Sequence, residues 1–344
     1  MKKNPVSIPH TVWYADDIRR GEREAADALG LTLYELMLRA GEAAFLVCRT
    51  AYPDARHWLV LCGHGNNGGD GYVVARLAKA VGIEVTLLAQ ESDKPLPEEA
   101  ALAREAWLNA GGEIHASNIV WPESVDLIVD ALLGTGLQQA PRESISQLID
   151  HANTHPAPIV AVDIPSGLLA ETGATPGAVI NADHTITFIA LKPGLLTGKA
   201  RDVTGQLHFD SLGLDSWLAG QETKIQRFSA EQLSHWLKPR RPTSHKGDHG
   251  RVVIIGGDHG TAGAIRMTGE AALRAGAGLV RVLTRSENIA PLLTARPELM
   301  VHELTMDSLT ESLEWADVLV IGPGLGQQEW GKKALQKVEN FRKP

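Results

Sequence analysis

Apolar residues along the chain form short continuous runs that alternate with longer segments of helical periodicity. In the first two thirds of the chain the runs lie at residues 58–62, 83–88, 125–129, 159–162 and 185–191. Apolar residues at helical spacing cover 16–28, 33–47, 72–81 and 98–108, and a further helix ends at 151–153. This alternation predicts a three-layer α/β fold, in which a mostly parallel sheet has helices on both faces.

The composition changes after residue 224. Residues 238–242 read KPRRP, a basic, proline-rich stretch that is typical of a linker. Beyond it, apolar runs at 252–255 and 318–321 and a helical pattern over 264–273 open a second α/β region. We therefore expect two domains, residues 1–225 and 226–344.

A glycine-rich segment, GHGNNGGDG at residues 63–71, follows the first apolar run. A buried strand, a glycine-rich turn and a helix N-terminus together form an anion-binding site. Gly63, Gly65 and Gly68 match the dinucleotide-binding fingerprint, and Glu91 and Asp93 lie where a ribose-binding acid is expected.

Two features of this segment argue against an ordinary dehydrogenase. Asp70 lies at the expected helix start, where its charge would repel a pyrophosphate. Asn66 and Asn67 are adjacent amides, which is more than a tight turn requires. A purely structural glycine turn remains the alternative.

Charge and cysteine content limit the classes of partner. The net charge is −8 and the chain has no basic block, which argues against nucleic acid as the main ligand. Cys48 and Cys62 make a poor disulfide framework, so we expect a reducing, cytoplasmic location. We expect no membrane partner, because the chain lacks an apolar run of about 18 residues and its start does not resemble a signal peptide.

Four polar segments follow or end predicted strands. They contain Asn66–Asn67, Asp130, Asp163 and Lys192. Ligands of open parallel sheets bind beyond the carboxyl ends of the strands, near the point where the strand order reverses. We therefore expect these segments to meet in one crevice.

The same segments carry a family resemblance. NNGGDG at 66–71, DALLGTGL at 130–137, VDIPSG at 162–167 and KPG at 192–194 resemble, in this order, the N-terminal domain of bifunctional NAD(P)H-hydrate repair enzymes. That family joins an epimerase domain to an ADP-dependent dehydratase domain. The resemblance implies a Rossmann-like fold that interconverts the R and S forms of the small molecules NADHX and NADPHX at C6. We also expect a homo-oligomer.

Such an epimerisation needs a proton donor and acceptor, and stabilisation of the developing positive charge. The ring nitrogen assists loss of the C6 hydroxyl, and return of water to the other face inverts the centre. A carboxylate both transfers the proton and stabilises the developing positive charge. Asp163 is the candidate, although an acid at a strand end is also often a turn or cap residue. Lys192 would orient Asp163 or contact a phosphate; alternatively it is a solvated lysine.

The resemblance also implies ligand contacts. Those with substrate lie in two glycine-rich segments and at Asp163: Asn66, Asn67, Gly68, Gly69, Asp70, Gly134, Thr135, Gly136, Leu137, Gln138, Gln139, Ala140 and Asp163. Asn67, Asp130 and Ser166 match the positions at which the family binds potassium. Their amide, carboxylate and hydroxyl oxygens suit a hard cation, but equally a hydrogen-bonded network.

The second region resembles the start of the ribokinase-like dehydratase domain. The resemblance implies ADP or ATP as its nucleotide and substrate contacts at Ala262 and at Leu325 in the GPGLG turn. Because residues 226–344 are few for a three-layer domain, we expect this domain to be incomplete, to expose apolar surface and to lack dehydratase activity. Two other functions stay open for the chain: an NAD-dependent Rossmann oxidoreductase, or a non-catalytic nucleotide-binding protein.

Overall fold

The structure, a computed structural model, describes residues 8–117, 120–122, 124–223, 225–228 and 230–341. It divides into two compact units, Met1–Ser234 and His235–Pro344. The sequence places this boundary earlier, at 225/226. The difference arises because residues around 226 belong to the first unit, where the Arg227 guanidinium donates to the carbonyl of Ile8 at 2.8 Å.

The first unit contains a large sheet and a small one. Its described strands are β1 (Thr11–Val12), β2 (His57–Cys62), β3 (Glu84–Ala89), β4 (His115–Ala116), β5 (Leu127–Ala131), β6 (Ile159–Val162), β7 (His184–Phe188), β8 (Gln206–Asp210) and β9 (Ile225–Gln226). Its described helices are α1 (Ala15–Ala28), α2 (Leu33–Ala51), α3 (Asn66–Ala80), α4 (Glu98–Asn109), α5 (Glu143–Thr154), α6 (Ala200–Val203) and α7 (Asp215–Ala219). β1 and β9 form an antiparallel pair.

The other seven strands form one parallel sheet, in the order β4-β3-β2-β5-β6-β7-β8. Every residue of β2 is buried, which explains its continuous apolar sequence. Trp58 and Val60 pack with α1 to α4 on one face, whereas Leu59 and Leu61 pack with α5 on the other. The predicted three-layer α/β fold is therefore confirmed.

The strand order reverses between β2 and β5. From β2 the chain moves outward through β3 to β4, and from β5 it moves outward in the other direction through β6 and β7 to β8. A crevice opens at such a point beyond the carboxyl ends of the two central strands. This topology places the segments after β2 and β5 on either side of it.

Three details of the predicted elements are wrong. β4 and β8 were not predicted, because β4 has only two residues and β8 is half-exposed without a continuous apolar run. β7 ends at Phe188 rather than 191, since Ile189 adopts a left-handed φ of 64° and turns the chain. α3 begins at Asn66 rather than 72, with Gly65 as its N-cap, so NNGGDG forms the start of the helix and not a loop before it.

Close packing explains the glycines of α3. A Cβ on Gly68 would lie 2.0 Å from the carbonyl oxygen of Gly63, and one on Gly71 would lie 2.7 Å from the Cβ of Ala131. Neither position has room for a side chain. The helix therefore approaches the sheet and its own preceding turn closely, despite the low helix propensity of glycine.

The second unit contains a smaller parallel sheet. Its described strands are β10 (Arg251–Ile255), β11 (Leu279–Thr284), β12 (Met300–Glu303) and β13 (Val318–Ile321), in the order β12-β11-β10-β13. Helix α8 (Leu233–Trp236) spans the division, and α9 (Ala262–Ala275), α10 (Ile289–Ala295), α11 (Met306–Trp315) and α12 (Glu329–Glu339) follow. Val253 and Ile255 of β10 pack on one face and Ile254 on the other, which confirms a second α/β region.

A helix that could cross a lipid bilayer is not found within the described ranges.

Gly68 gives a direct test of the close packing at the start of α3. We expect Gly68→Ala to lower the free energy of unfolding by about 1–3 kcal/mol, because the new methyl group must displace backbone. Gly65→Ala is the matched control: a Cβ there has no atom within 4 Å, and we expect a change below about 1 kcal/mol. Urea unfolding followed by tryptophan fluorescence measures both. Equal stability of the two variants would contradict the packing account.

Candidate active site

A cavity of about 520 Å³ lies in the first unit, where the turns after β2 and β5 face one another. Its wall from α1 and α2 is mostly apolar: Ala15, Ile18, Leu33, Leu36, Met37 and Ala40. Polar side chains line the rest of the cavity surface, including two from α1: Arg19, Glu22, His64, Asn66, Asn67, Asp70, Gln90, Glu99, Thr135, Asp163 and Lys192. The cavity thus joins an apolar surface to a set of charged groups.

Asp163 and Lys192 form a buried ion pair in this cavity. Lys192 Nζ lies 2.6 Å from Asp163 Oδ1, and the side chains are 4% and 16% exposed, respectively. Nζ also donates to Thr187 Oγ1 and to the carbonyl of Phe188, each at 2.9 Å. All three donors of the ammonium group are therefore used. This arrangement suits orientation of Asp163 better than contact with a phosphate.

The backbone holds Asp163 in an uncommon conformation. Its φ is 65°, in the left-handed region, and its N–H donates to the carbonyl of Ile186 at 2.7 Å. Aspartate tolerates this region better than most residues, and such strain clusters at functional sites. Thr187 Oγ1 donates to Asp163 Oδ1, and within the described part of the chain no group donates to Oδ2. One carboxylate oxygen is therefore free for a ligand.

Two further carboxyl groups, Glu22 of α1 and Asp70 of α3, line the same cavity. Burial raises the pKa of Asp70 well above its usual range, and the charges of Asp163 and Glu22 raise it further, whereas Lys192 opposes them. Burial likewise raises the pKa of Glu22, helped by the charge of Asp163. Asp70 therefore holds a proton at pH values where an ordinary aspartate is ionised.

Glu22 was missed by the sequence analysis. It belongs to no motif, but it lies on the buried face of α1, between Ile18 and Ala25. The sequence did contain one indication of its role, because helical periodicity predicts an apolar residue at this position.

Asn67, Asp130 and Ser166 meet beside the cavity. Ser166 Oγ donates to Asp130 Oδ1 at 2.6 Å, and its N–H donates to Oδ2 at 2.8 Å. Asn67 Nδ2 donates to the carbonyl of Leu133 at 3.1 Å, and the Leu133 N–H donates to Ser166 Oγ at 2.8 Å. Burial raises the pKa of Asp130 to about 6, against the hydrogen bonds from Ser166 and Leu132.

This cluster fits both alternatives left open by the sequence, a hydrogen-bonded network and a cation site. Asp130 and Ser166 form a hydrogen-bonded network. Asn67 Oδ1, however, is buried without a hydrogen-bond partner among the described residues. An orphaned amide oxygen suits a hard cation, and the Asn67 side chain is linked through Leu133 and Ser166 to the buried carboxylate of Asp130. Among the same residues no group of three or more His, Cys, Asp or Glu side chains could hold a metal, so a cation here would need neutral oxygen ligands.

The remaining predicted contact residues separate into three groups. Gly134, Thr135, Gly136 and Leu137 line the cavity, whereas Gln138, Gln139 and Ala140 do not. Gly68 and Gly69 are buried by packing and also lie outside the lining. Ala262 and Leu325 belong to the second unit.

In the second unit, the GPGLG turn at 322–326 is tied to the turn after β10. The N–H groups of Gly257 and Asp258 donate to the carbonyls of Pro323 and Gly324 at 2.9 and 2.7 Å. Ala262 begins α9, and Leu325 is buried in the core beside β10. The packing of Leu325 explains its apolar side chain without a ligand.

Comparisons with known proteins match both units. The family model described as YjeF-related protein N-terminus matches residues 33–194, and the model described as NAD(P)H-hydrate dehydratase matches residues 252–344. The bifunctional NAD(P)H-hydrate repair enzyme Nnr of Escherichia coli (strain K12) is 98% identical over 344 residues, which are 100% of this chain and 67% of that protein. Its counterpart in Vibrio cholerae is 40% identical over 98% of this chain and 69% of its own length.

A further relative and a solved structure agree. The bifunctional NAD(P)H-hydrate repair enzyme of Leishmania braziliensis is 49% identical, over 94% of this chain and 61% of its own length. The chain thus spans roughly two thirds of the relatives it matches. The crystal structure of yeast ynu0 superimposes with a TM-score of 0.50 at 22% identity, over 58% of this chain and 86% of that one, and this likeness shows the fold alone.

The coupling of carboxyl groups in the cavity is testable without a substrate. We expect Glu22→Gln to lower the pKa of Asp70, because it removes a negative charge that favours the protonated form of Asp70. The titration of ¹³C-labelled aspartate carboxyls, followed by NMR, measures this change. Glu24→Gln, at an exposed position of the same helix, serves as the control. An unchanged Asp70 titration in Glu22→Gln would contradict the described geometry.

Proposed function

Because the chain belongs to the family of bifunctional NAD(P)H-hydrate repair enzymes, we propose that its first unit interconverts the R and S forms of NADHX and NADPHX at C6. The substrate binds in the cavity at the reversal of strand order. The observation that carries this proposal is the Asp163–Lys192 pair, which presents one free carboxylate oxygen to the cavity.

The pair suits the chemistry of the C6 centre. When the C6–O bond breaks, the hydroxyl takes up a proton and leaves as water, and the ring becomes an iminium-like cation. Asp163 lies where its charge stabilises that cation, and it accepts a proton when water adds to the opposite face. Lys192 acts as a positioning residue, because its three donors hold Asp163 and the end of β7.

Asp70 and Glu22 supply carboxyl groups whose raised pKa favours the protonated form, which can donate a proton. Since the pKa of Asp70 is raised, Asp70 holds a proton at pH values where an ordinary aspartate is ionised, whereas the Asp163 side chain is paired with Lys192. A protonated Asp70 can donate a proton while the free oxygen of Asp163 accepts one. The departing hydroxyl therefore has a proton donor within the same cavity lining.

The glycine pattern weakens the oxidoreductase alternative. Gly68, the third glycine of the fingerprint, packs on the carbonyl of Gly63 and does not line the cavity. Packing thus accounts for Gly63 and Gly68, two of the three glycines of the Gly-x-Gly-x-x-Gly match, without a contact to an intact cofactor.

For the second unit we propose the dehydratase function of the family, with ADP or ATP as the nucleotide. The expectation that this region is inactive has no support in the comparisons, because the matched relatives are bifunctional. Cytoplasmic location, homo-oligomerisation and the absence of nucleic-acid and membrane partners stay predictions from the sequence.

We also propose that potassium binds beside the cavity. Asn67 Oδ1 is the unpartnered ligand, and Ser166 Oγ and Asp130 complete the oxygen set. A cation there would supply positive charge that attracts an anionic dinucleotide and fixes the turns after β2 and β5.

Asp163→Asn tests the catalytic proposal. The substitution keeps size but removes the proton acceptor, so we expect epimer interconversion to fall by about 10²–10⁴-fold. The two C6 epimers are resolved by chromatography, and the spontaneous rate is subtracted. Asp54→Asn, at an exposed position, is the control and should leave the rate unchanged. Near-normal turnover of Asp163→Asn would remove Asp163 from the mechanism.

Replacement of potassium by tetramethylammonium tests the cation site. A ligand that binds only the folded state at 100 times its Kd adds about 2.7 kcal/mol of stability, so we expect a higher Tm in KCl. We expect Asn67→Leu to abolish the difference between the two salts. Equal melting temperatures of the wild type in both salts would contradict the site.

A further inference from the structure

A second cavity, of about 510 Å³, adjoins the first on the other side of the α3 N-terminus. It lies beyond the carboxyl ends of β3 and β4. His64 and Gln90 line both cavities, so the two are direct neighbours.

The two cavities have opposite electrostatic character. The first is lined by the carboxyl groups of Glu22, Asp70, Glu99 and Asp163, against the cations Arg19 and Lys192, of which Arg19 is also paired with Asp16.

The second cavity is lined by two cationic side chains, Lys94 and Arg104, against one carboxylate, Glu91. Phosphate groups are therefore favoured in the second cavity, and a ring that becomes positively charged is favoured in the first.

The start of α3 connects the cavities. Gly65 and Asn66 line the first, and Gly63 lines the second. The backbone N–H groups of the first helical turn favour an anion at this position. A Cβ on Gly65 would have no neighbour within 4 Å, so a ligand can approach the backbone there.

We propose that the second cavity binds the adenosine half of the hydrated dinucleotide, with Lys94 and Arg104 contacting its 2′-phosphate, and that the chain consequently prefers NADPHX to NADHX. This inference rests on the proposed function for the identity of the dinucleotide. The apolar residues Leu96 and Ile114 offer a surface for the purine. Glu91 would accept a hydrogen bond from the 3′-hydroxyl of the ribose, which stays free when the 2′-oxygen carries a phosphate.

The probes are adenosine 2′,5′-bisphosphate and adenosine 5′-monophosphate, whose affinities for the full chain are measured by calorimetry. We expect the wild type to bind the bisphosphate about tenfold more tightly, as charge-assisted hydrogen bonds to one more phosphate predict. Lys94→Gln and Arg104→Gln should each reduce this preference by about two- to fivefold, since both side chains are exposed. Arg201→Gln, an exposed arginine of α6 outside both cavities, should not change it.

Several results would overturn the proposal: no detectable binding of the bisphosphate, equal affinity of the wild type for both probes, or an unchanged preference in both variants. Because binding requires no turnover, a chain that fails to interconvert epimers but shows the expected preference would refute the proposed function alone. Conversely, epimerisation at equal kcat/KM for NADHX and NADPHX would refute the second-cavity proposal and leave the function intact.

Discussion

The three hydrogen bonds of the Lys192 ammonium group determine the geometry of the proposed site. The side chain is almost fully buried, and it binds Asp163 after β6, Thr187 within β7 and the carbonyl at the end of β7. A buried cation that lost these acceptors would be strongly destabilising, so the two turns and the left-handed backbone of Asp163 are held together. Because Lys192 and Thr187 both donate to Oδ1 of Asp163, Oδ2 is left without a donor among the described residues.

Around this pair, the fold collects more carboxyl groups than cations. Glu22 comes from α1 and Asp70 from α3, elements that meet Asp163 only because the strand order reverses between β2 and β5. Burial disfavours the charged form of Asp70 and raises its pKa, and the charges of Asp163 and Glu22 raise it further. The charge of Asp163 suits a reaction that passes through a cationic ring, and the neighbouring cationic cavity suits the phosphates of the same substrate.

The sequence was sufficient for features that depend on local pattern. The runs that became β2 and β6 were predicted to within one residue, since strands buried on both faces are continuously apolar. The start of α3 was not predicted, because glycine propensity argues against a helix and only the approach of Gly68 to Gly63 explains it. Asp163 and Lys192 were found through motifs, whereas the role of Glu22 and the unpartnered Oδ1 of Asn67 depend on contacts between distant segments, although the position of Glu22 on the apolar face of α1 was an indication in the sequence.

Epimerisation in H₂¹⁸O tests the central claim, that the first unit inverts C6 by loss and return of water. Mass spectrometry of each separated epimer, corrected for the spontaneous reaction, reports the origin of the C6 oxygen. The account predicts that the newly inverted epimer carries ¹⁸O and that its enzymatic formation depends on Asp163. Inverted product that keeps its original oxygen would indicate ring opening instead, and no inversion above the spontaneous rate would contradict the account altogether.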